Sequence, residues 1–172
     1  TGVDLDDRVV RTDRGAPLAY DTLVVAAGSV SHDFGTPGVD EHAFALKSVA
    51  DAIALRSHLL ARFEDATLTG DTGDGALDAA LDAPLDVVVC GGGPTGVEMA
   101  GGLVELYQRV FAKDFPQLDV GAARITLVEA ADRVLGPFHP ALSERAHRTL
   151  VRRGVSVVTG VPVERIDPGA VH

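Results

Sequence analysis

Little sulfur, little aromatic surface and no run of positive charge mark this sequence. Cys90 is the one cysteine in 172 residues. That excludes an internal disulfide framework and suits a reducing compartment. No run of Lys or Arg longer than the pair Arg152-Arg153 occurs, and the formal net charge is −10. Nucleic-acid binding, which depends on neutralising phosphates, is therefore not expected, and no polybasic patch for an anionic membrane is present. No apolar run approaches the roughly 18 residues that span a bilayer. No signal-peptide pattern opens at Thr1. The expectation is a soluble cytoplasmic chain. What remains is ordinary globular composition, 46% hydrophobic and 23% charged, enough for one good core or one domain with pieces of another.

Along the chain, Val9–Arg11 and residues 18–20 read as short strands around the turn Asp13-Arg14-Gly15. Residues 22–26 read as a buried strand that ends at Ala27-Gly28-Ser29. Gly35, Pro37 and Gly38 make residues 31–39 a loop. A helix follows Lys47, with Ser48 as its cap and Asp51 completing a variant capping box. Val49, Ala52, Ile53, Leu59, Leu60 and Phe63 form its expected apolar face. Residues 67–83 are rich in Gly and Asp and read as a surface linker. Asp71, Asp74, Asp78 and Asp82 lack the spacing and closing Glu of a calcium loop, so no metal site is expected.

From Leu85 the pattern changes. Residues 85–90 form a nearly continuous apolar run, as a strand covered on both faces requires, which makes Cys90 an expected core thiol. Residues 94–112 read as one helix with a buried stripe of Val97, Ala100, Val104, Tyr107 and Phe111. Ile125–Glu129 is the next strand. Pro140–Arg153 is a helix with Pro at its start and Gly154 just past its end, each where its backbone preference belongs. Residues 155–158 are a further strand. The order is βαβαβ, so the fold class is α/β: a Rossmann-like parallel sheet with a partial piece of a second domain. The expected division is 1–33, 34–83 and 84–172.

Gly91-Gly92-Gly93-Pro94-Thr95-Gly96 contains the pattern G-x-G-x-x-G between a strand and a helix. Gly91 permits the tight turn. Gly93 lets a pyrophosphate reach the backbone, and Gly96 lets helix and strand pack closely. The helix start offers N–H groups and the positive end of its dipole to phosphate. The motif alone is weak; the flanking strand and amphipathic helix are the context that it demands. Glu129 closes the second strand and is the expected acceptor for ribose hydroxyls, which favours NAD(H) over NADP(H), with Arg133 nearby able to soften that preference. From Gly96 to Glu129 is 33 positions (129 − 96), against roughly 20 in the usual pattern. The excess lies at residues 107–123.

Taken together, the blocks YDTLVVAAGS (20–29), FGTPGV (34–39), GGGPTGVE (91–98) and LVEA (127–130) with Arg133-Val134-Leu135 resemble the type II NADH dehydrogenases, within the two-dinucleotide-binding flavoprotein group. The likeness spans nearly the whole chain, and the long helix after the fingerprint belongs to it. The resemblance implies that FAD lies across one Rossmann domain, with an NADH-binding Rossmann domain inserted into it. Ala26, Ala27 and Gly28 then match the turn where the chain passes FAD. Ala27 stands where the family usually has Thr, so only backbone contacts carry over. Glu98 matches the acid that points from the NADH helix towards the nicotinamide, with a solvated helix-start carboxylate as the alternative reading.

The implied activity is hydride transfer from NADH to FAD and then electron transfer to a quinone, without proton pumping. The cofactors supply that chemistry. The residues present would bind and orient NADH, and no catalytic side chain is assigned. The FAD fingerprint and the quinone and membrane-binding segments would lie elsewhere in a longer protein, with membrane contact through its C-terminal part. That protein is expected to be peripheral on the inner face of the cell membrane, with a homodimer as its candidate assembly. Two other readings stay open: a different flavoprotein reductase of the disulfide or ferredoxin type, and a non-catalytic NAD(H)-binding sensor domain. Against the first stands the extension at 107–123; against the second, the Ala26-Ala27-Gly28 block.

Overall fold

A computed structural model of the chain describes residues 2–70 and 85–172. The chain divides into two compact units, Thr1–Val30 and Ser31–His172.

The first unit is a small antiparallel sheet of β1 (Gly2–Asp4), β2 (Val9–Arg11) and β3 (Leu18–Ala19), with β2 in the centre. Gly2 pairs with Arg11 and Val9 with Ala19. The Tyr20 N–H donates to the Arg8 carbonyl and closes the second turn. Strand β1 has no clear alternation to betray it. The strand expected at 22–26 does not form: these residues are irregular, with Val24 and Val25 at 79% and 77% exposure. An apolar run becomes a strand only when a neighbour takes its N–H and C=O groups, and no described strand lies beside this one.

The second unit holds α1 (Val39–His42), α2 (Val49–Gly70), β4 (Val87–Cys90), α3 (Pro94–Leu106), a π-helical turn (Tyr107–Phe111), α4 (Ala112–Asp114), β5 (Ile125–Glu129), α5 (Pro140–Arg153), β6 (Val155–Thr159) and a hairpin of β7 (Ile166–Asp167) and β8 (Ala170–Val171). Strands β4, β5 and β6 form a parallel sheet in that order, pairing Val89 with Leu127 and Leu127 with Val157. This is the expected βαβαβ unit. Two successive right-handed crossovers in one direction put α3 and α5 on the same face. They bury Ile125, Leu127 and Val155, with Val87, Val89 and Val157 packed around them. The expectation of a sheet covered on both faces is therefore corrected: Val88 is 41% exposed and Cys90 is also exposed. Cys90 is not a core thiol, although the protein around it still pushes the thiol pKa up by desolvation.

Helix α2 starts as read. The Ser48 hydroxyl accepts from Asp51 N–H, and the Asp51 carboxylate accepts from the N–H groups of Ser48 and Lys47. Those backbone donors hold the Asp51 carboxyl below its usual pKa. The apolar face is shifted: Val49, Ala52 and Ile53 are exposed, while Leu55, Leu59, Leu60, Phe63 and Ala66 pack inward. Only from Leu55 onward does α2 reach the core. The helix continues through Thr67 to Gly70, residues expected in a linker; the rest of the linker, with its four Asp residues, lies outside the described residues.

The expected single helix over 94–112 is interrupted by a π turn at Tyr107–Phe111. Its local widening leaves Tyr107 and Phe111 both buried, 3% exposed each, against a fully buried Phe63. Phe63 meets Tyr107 edge-on at 5.2 Å and Phe111 at 4.2 Å between ring centroids. Such pairs contribute roughly 0.5–1.5 kcal/mol each beyond area burial. The extension after the fingerprint is thus the seat for α2.

The Tyr107 hydroxyl donates to the Leu85 carbonyl at 2.9 Å. Burial, reinforced by the Asp86 carboxylate, pushes its pKa from 10.0 to about 12. A raised folded-state pKa means that the neutral phenol favours the fold. Its contribution is whole below pH 10.0 and fades as pH climbs to about 12. Denaturant unfolding of the wild type and Tyr107→Phe should therefore give a stability gap that narrows across this window. Parallel curves would contradict the assignment.

Candidate functional site

The site forms where β4 ends and α3 begins. Gly91 continues the ladder by donating its N–H to the Val128 carbonyl at 2.8 Å, then turns at φ +104°, a value that L side chains rarely adopt. A Cβ on Gly96 would lie 1.8 Å from the Gly91 carbonyl oxygen, which no rotamer change relieves because the obstacle is backbone. Gly96 therefore sets how closely α3 approaches the sheet. At Gly93, by contrast, an added Cβ meets nothing within 4 Å. Gly93 is the N-cap and Pro94 opens the helix, with no side chain capping it. The first turn thus presents its N–H groups, and the positive dipole end, to open space.

Glu129 stands at the end of β5 and faces the turn. Its Oε2 accepts from Gly92 N–H at 2.5 Å, and its Oε1 accepts from Ala131 N–H at 2.7 Å. Gly92 is also packed from below: an added Cβ would lie 3.0 Å from Glu129 and from the fully buried Val134. The loop after β5 completes the frame. Leu135, at φ +53°, donates its N–H to the Gly92 carbonyl at 2.7 Å. Buried Ser143 of α5 donates its hydroxyl to the Val134 carbonyl at 2.5 Å. Arg133 donates through Nη2 to the Gly136 carbonyl at 2.8 Å.

The structure brings together Gly91, Gly92, Gly93, Pro94, Thr95, Gly96 and Glu129. Glu98 lies one turn into α3 and is exposed. Ala26, Ala27 and Gly28 belong to the first unit, exposed and irregular, with Gly28 at φ +73°. Sequence reasoning missed the parts played by Ala131, Leu135 and Ser143. The first two act through backbone N–H and carry no side-chain signal. Ser143 had one: it is a polar residue on the buried side of an amphipathic helix.

The two glycines predict opposite phenotypes. Gly96→Ala forces backbone apart and should cost about 3 kcal/mol or more, with nucleotide binding lost. Gly93→Ala should fold within about 1 kcal/mol of wild type and still bind nucleotide poorly, because its methyl group would enter the open space beside the helix start. Denaturant unfolding and nucleotide titration of both variants check this; a stable, binding-competent Gly96→Ala would refute the close-packing role.

Residues 1–171 match the family model described as pyridine nucleotide-disulphide oxidoreductase. Among curated relatives, the chain is 37% identical over 148 residues to the type II NADH:quinone oxidoreductase NdhA of Mycobacterium tuberculosis, covering 86% of this chain and 30% of that protein. It is equally 37% identical over 148 residues to the external alternative NAD(P)H-ubiquinone oxidoreductase B3, mitochondrial, of Arabidopsis thaliana, covering 86% of this chain and 24% of that one. The chain thus spans less than a third of these relatives. In fold it is similar to NDH2 of Plasmodium falciparum, solved with NADH, at TM-score 0.71 and 22% identity over 96% of this chain and 31% of that one. On this match, with a parallel βαβαβ sheet and a glycine turn to carry it, the chain belongs to the pyridine nucleotide-disulphide oxidoreductase family.

Proposed function

We propose that this chain is the NADH-binding portion of a flavin-dependent NADH:quinone oxidoreductase. One observation carries the reading: the uncapped start of α3 opens beside the glycine turn, with the Glu129 carboxylate at the same turn. A dinucleotide fits that arrangement. Its pyrophosphate would lie over Gly93 and accept from the N–H groups of Thr95 and Gly96. Its adenosine ribose would reach Glu129. The relatives' activities, NADH:quinone and NAD(P)H-ubiquinone oxidoreduction, support the same reading.

Within such a protein these residues bind and orient NADH. A bound flavin would supply the redox chemistry, taking hydride from the nicotinamide and passing electrons to quinone. For the flavin, Ala26, Ala27 and Gly28 would offer their backbone, since Ala27 carries no hydroxyl. Among the described residues no helix is long and apolar enough to cross a membrane. Our reading places membrane and quinone contact in other parts of the protein, peripheral on the inner face of the membrane, with homodimer formation also outside this site.

Calorimetric titration with NADH and NADPH tests this. Tight NADH binding, weak NADPH binding and a relaxed preference in Glu129→Ala are expected. A folded chain that binds neither nucleotide would refute it.

A further inference from the structure

An acid at this strand end is ordinarily credited with two actions: accepting the ribose hydroxyls and repelling a 2′-phosphate. In this chain the acid is also held in place. Gly92 N–H donates to one carboxylate oxygen and Ala131 N–H to the other. One donor comes from the glycine turn and one from the loop after β5, so the group is gripped from two sides. Packing confines it as well, since a Cβ on Gly92 would lie 3.0 Å from both Cβ and Oε2 of Glu129. The middle glycine of the turn, a position that the motif leaves open, here makes room for the acid.

We propose that this backbone clamp on Glu129, and not its charge alone, sets the preference of the site for a nucleotide with a free 2′-hydroxyl. The inference rests on the NADH-binding reading above. Each carboxylate oxygen has two lone pairs. The clamp uses one on each oxygen and leaves one on each, in a fixed plane, for the neighbouring hydroxyls of a ribose. A 2′-phosphate brings only acceptor oxygens, so the carboxylate must turn away to admit it. An unrestrained glutamate would swing into water, where its charge is screened. Here turning away breaks two hydrogen bonds to a charged group, each worth roughly tenfold in an equilibrium.

Glu129→Asp separates clamp from charge. It keeps the carboxylate but shortens the side chain by one methylene, so both N–H groups cannot be reached from the same backbone position. Calorimetric titration should show NADPH affinity rising by roughly tenfold relative to wild type. Hydrogen exchange followed by NMR without nucleotide should show the Gly92 and Ala131 amides protected in the wild type and faster in the variant. Unchanged or weaker NADPH binding by Glu129→Asp, in a chain whose wild type prefers NADH, overturns the clamp and leaves the NADH reading intact. Unprotected Gly92 and Ala131 amides in the wild type overturn it without reference to any variant. A wild type that binds neither nucleotide defeats the underlying reading, and the specificity role with it.

Discussion

The carbonyl oxygen of Gly91 and the backbone of Gly96 approach so closely that one methyl group would overlap them. This contact fixes the distance between β4 and α3, and most of the second unit follows from it. With α3 drawn against the sheet, Ala100, Leu103 and Val104 cover Leu127 and Ile125, and α5 packs beside them on the same face. The helix start then opens at the C-terminal edge of a parallel sheet, where ligands of such folds bind. Glu129 reaches the turn because β5 lies next to β4 in register, with Cys90 paired to Val128. Site and core are thus two consequences of one short helix–strand separation.

Around this centre the glycines divide the work. Gly91 supplies a backbone angle, Gly96 an approach, Gly92 room for an acid, and Gly93 open space. The long segment after the fingerprint serves a different end. Its π turn exposes no ligand group among the described residues; it seats Tyr107 and Phe111 against Phe63 and so attaches α2 to the unit. Elsewhere, Ile166 N–H donates to the Pro37 carbonyl at 2.9 Å, and a Cβ on Gly38 would meet the Ile166 carbonyl. The β7–β8 hairpin is thereby tied to the chain that leads into α1.

Much of this was legible beforehand, for physical reasons. Strand–glycine–helix order, the Ser48–Asp51 cap and the Pro140 and Gly154 boundaries are local signals, and each appears where its chemistry put it. What was not legible depended on neighbours. Residues 22–26 have strand composition but no described partner. Val88 and Cys90 are apolar, yet both helices lie on the other face. Val49 and Ile53 sit at helical spacing at the start of α2, which the core does not reach. The π turn, and the backbone donors at Ala131 and Leu135, leave no mark in side-chain pattern at all.

The central claim is that glycine turn, helix start and Glu129 form one nucleotide site. Amide chemical-shift mapping of the isotopically labelled chain during NADH titration tests it most directly. The account predicts saturable shifts concentrated at Gly91 to Val97 and at Glu129 to Ala131, with the open face at Val88 unaffected. Shifts centred on that face, or on the exposed side of α5, with the turn silent, would contradict it.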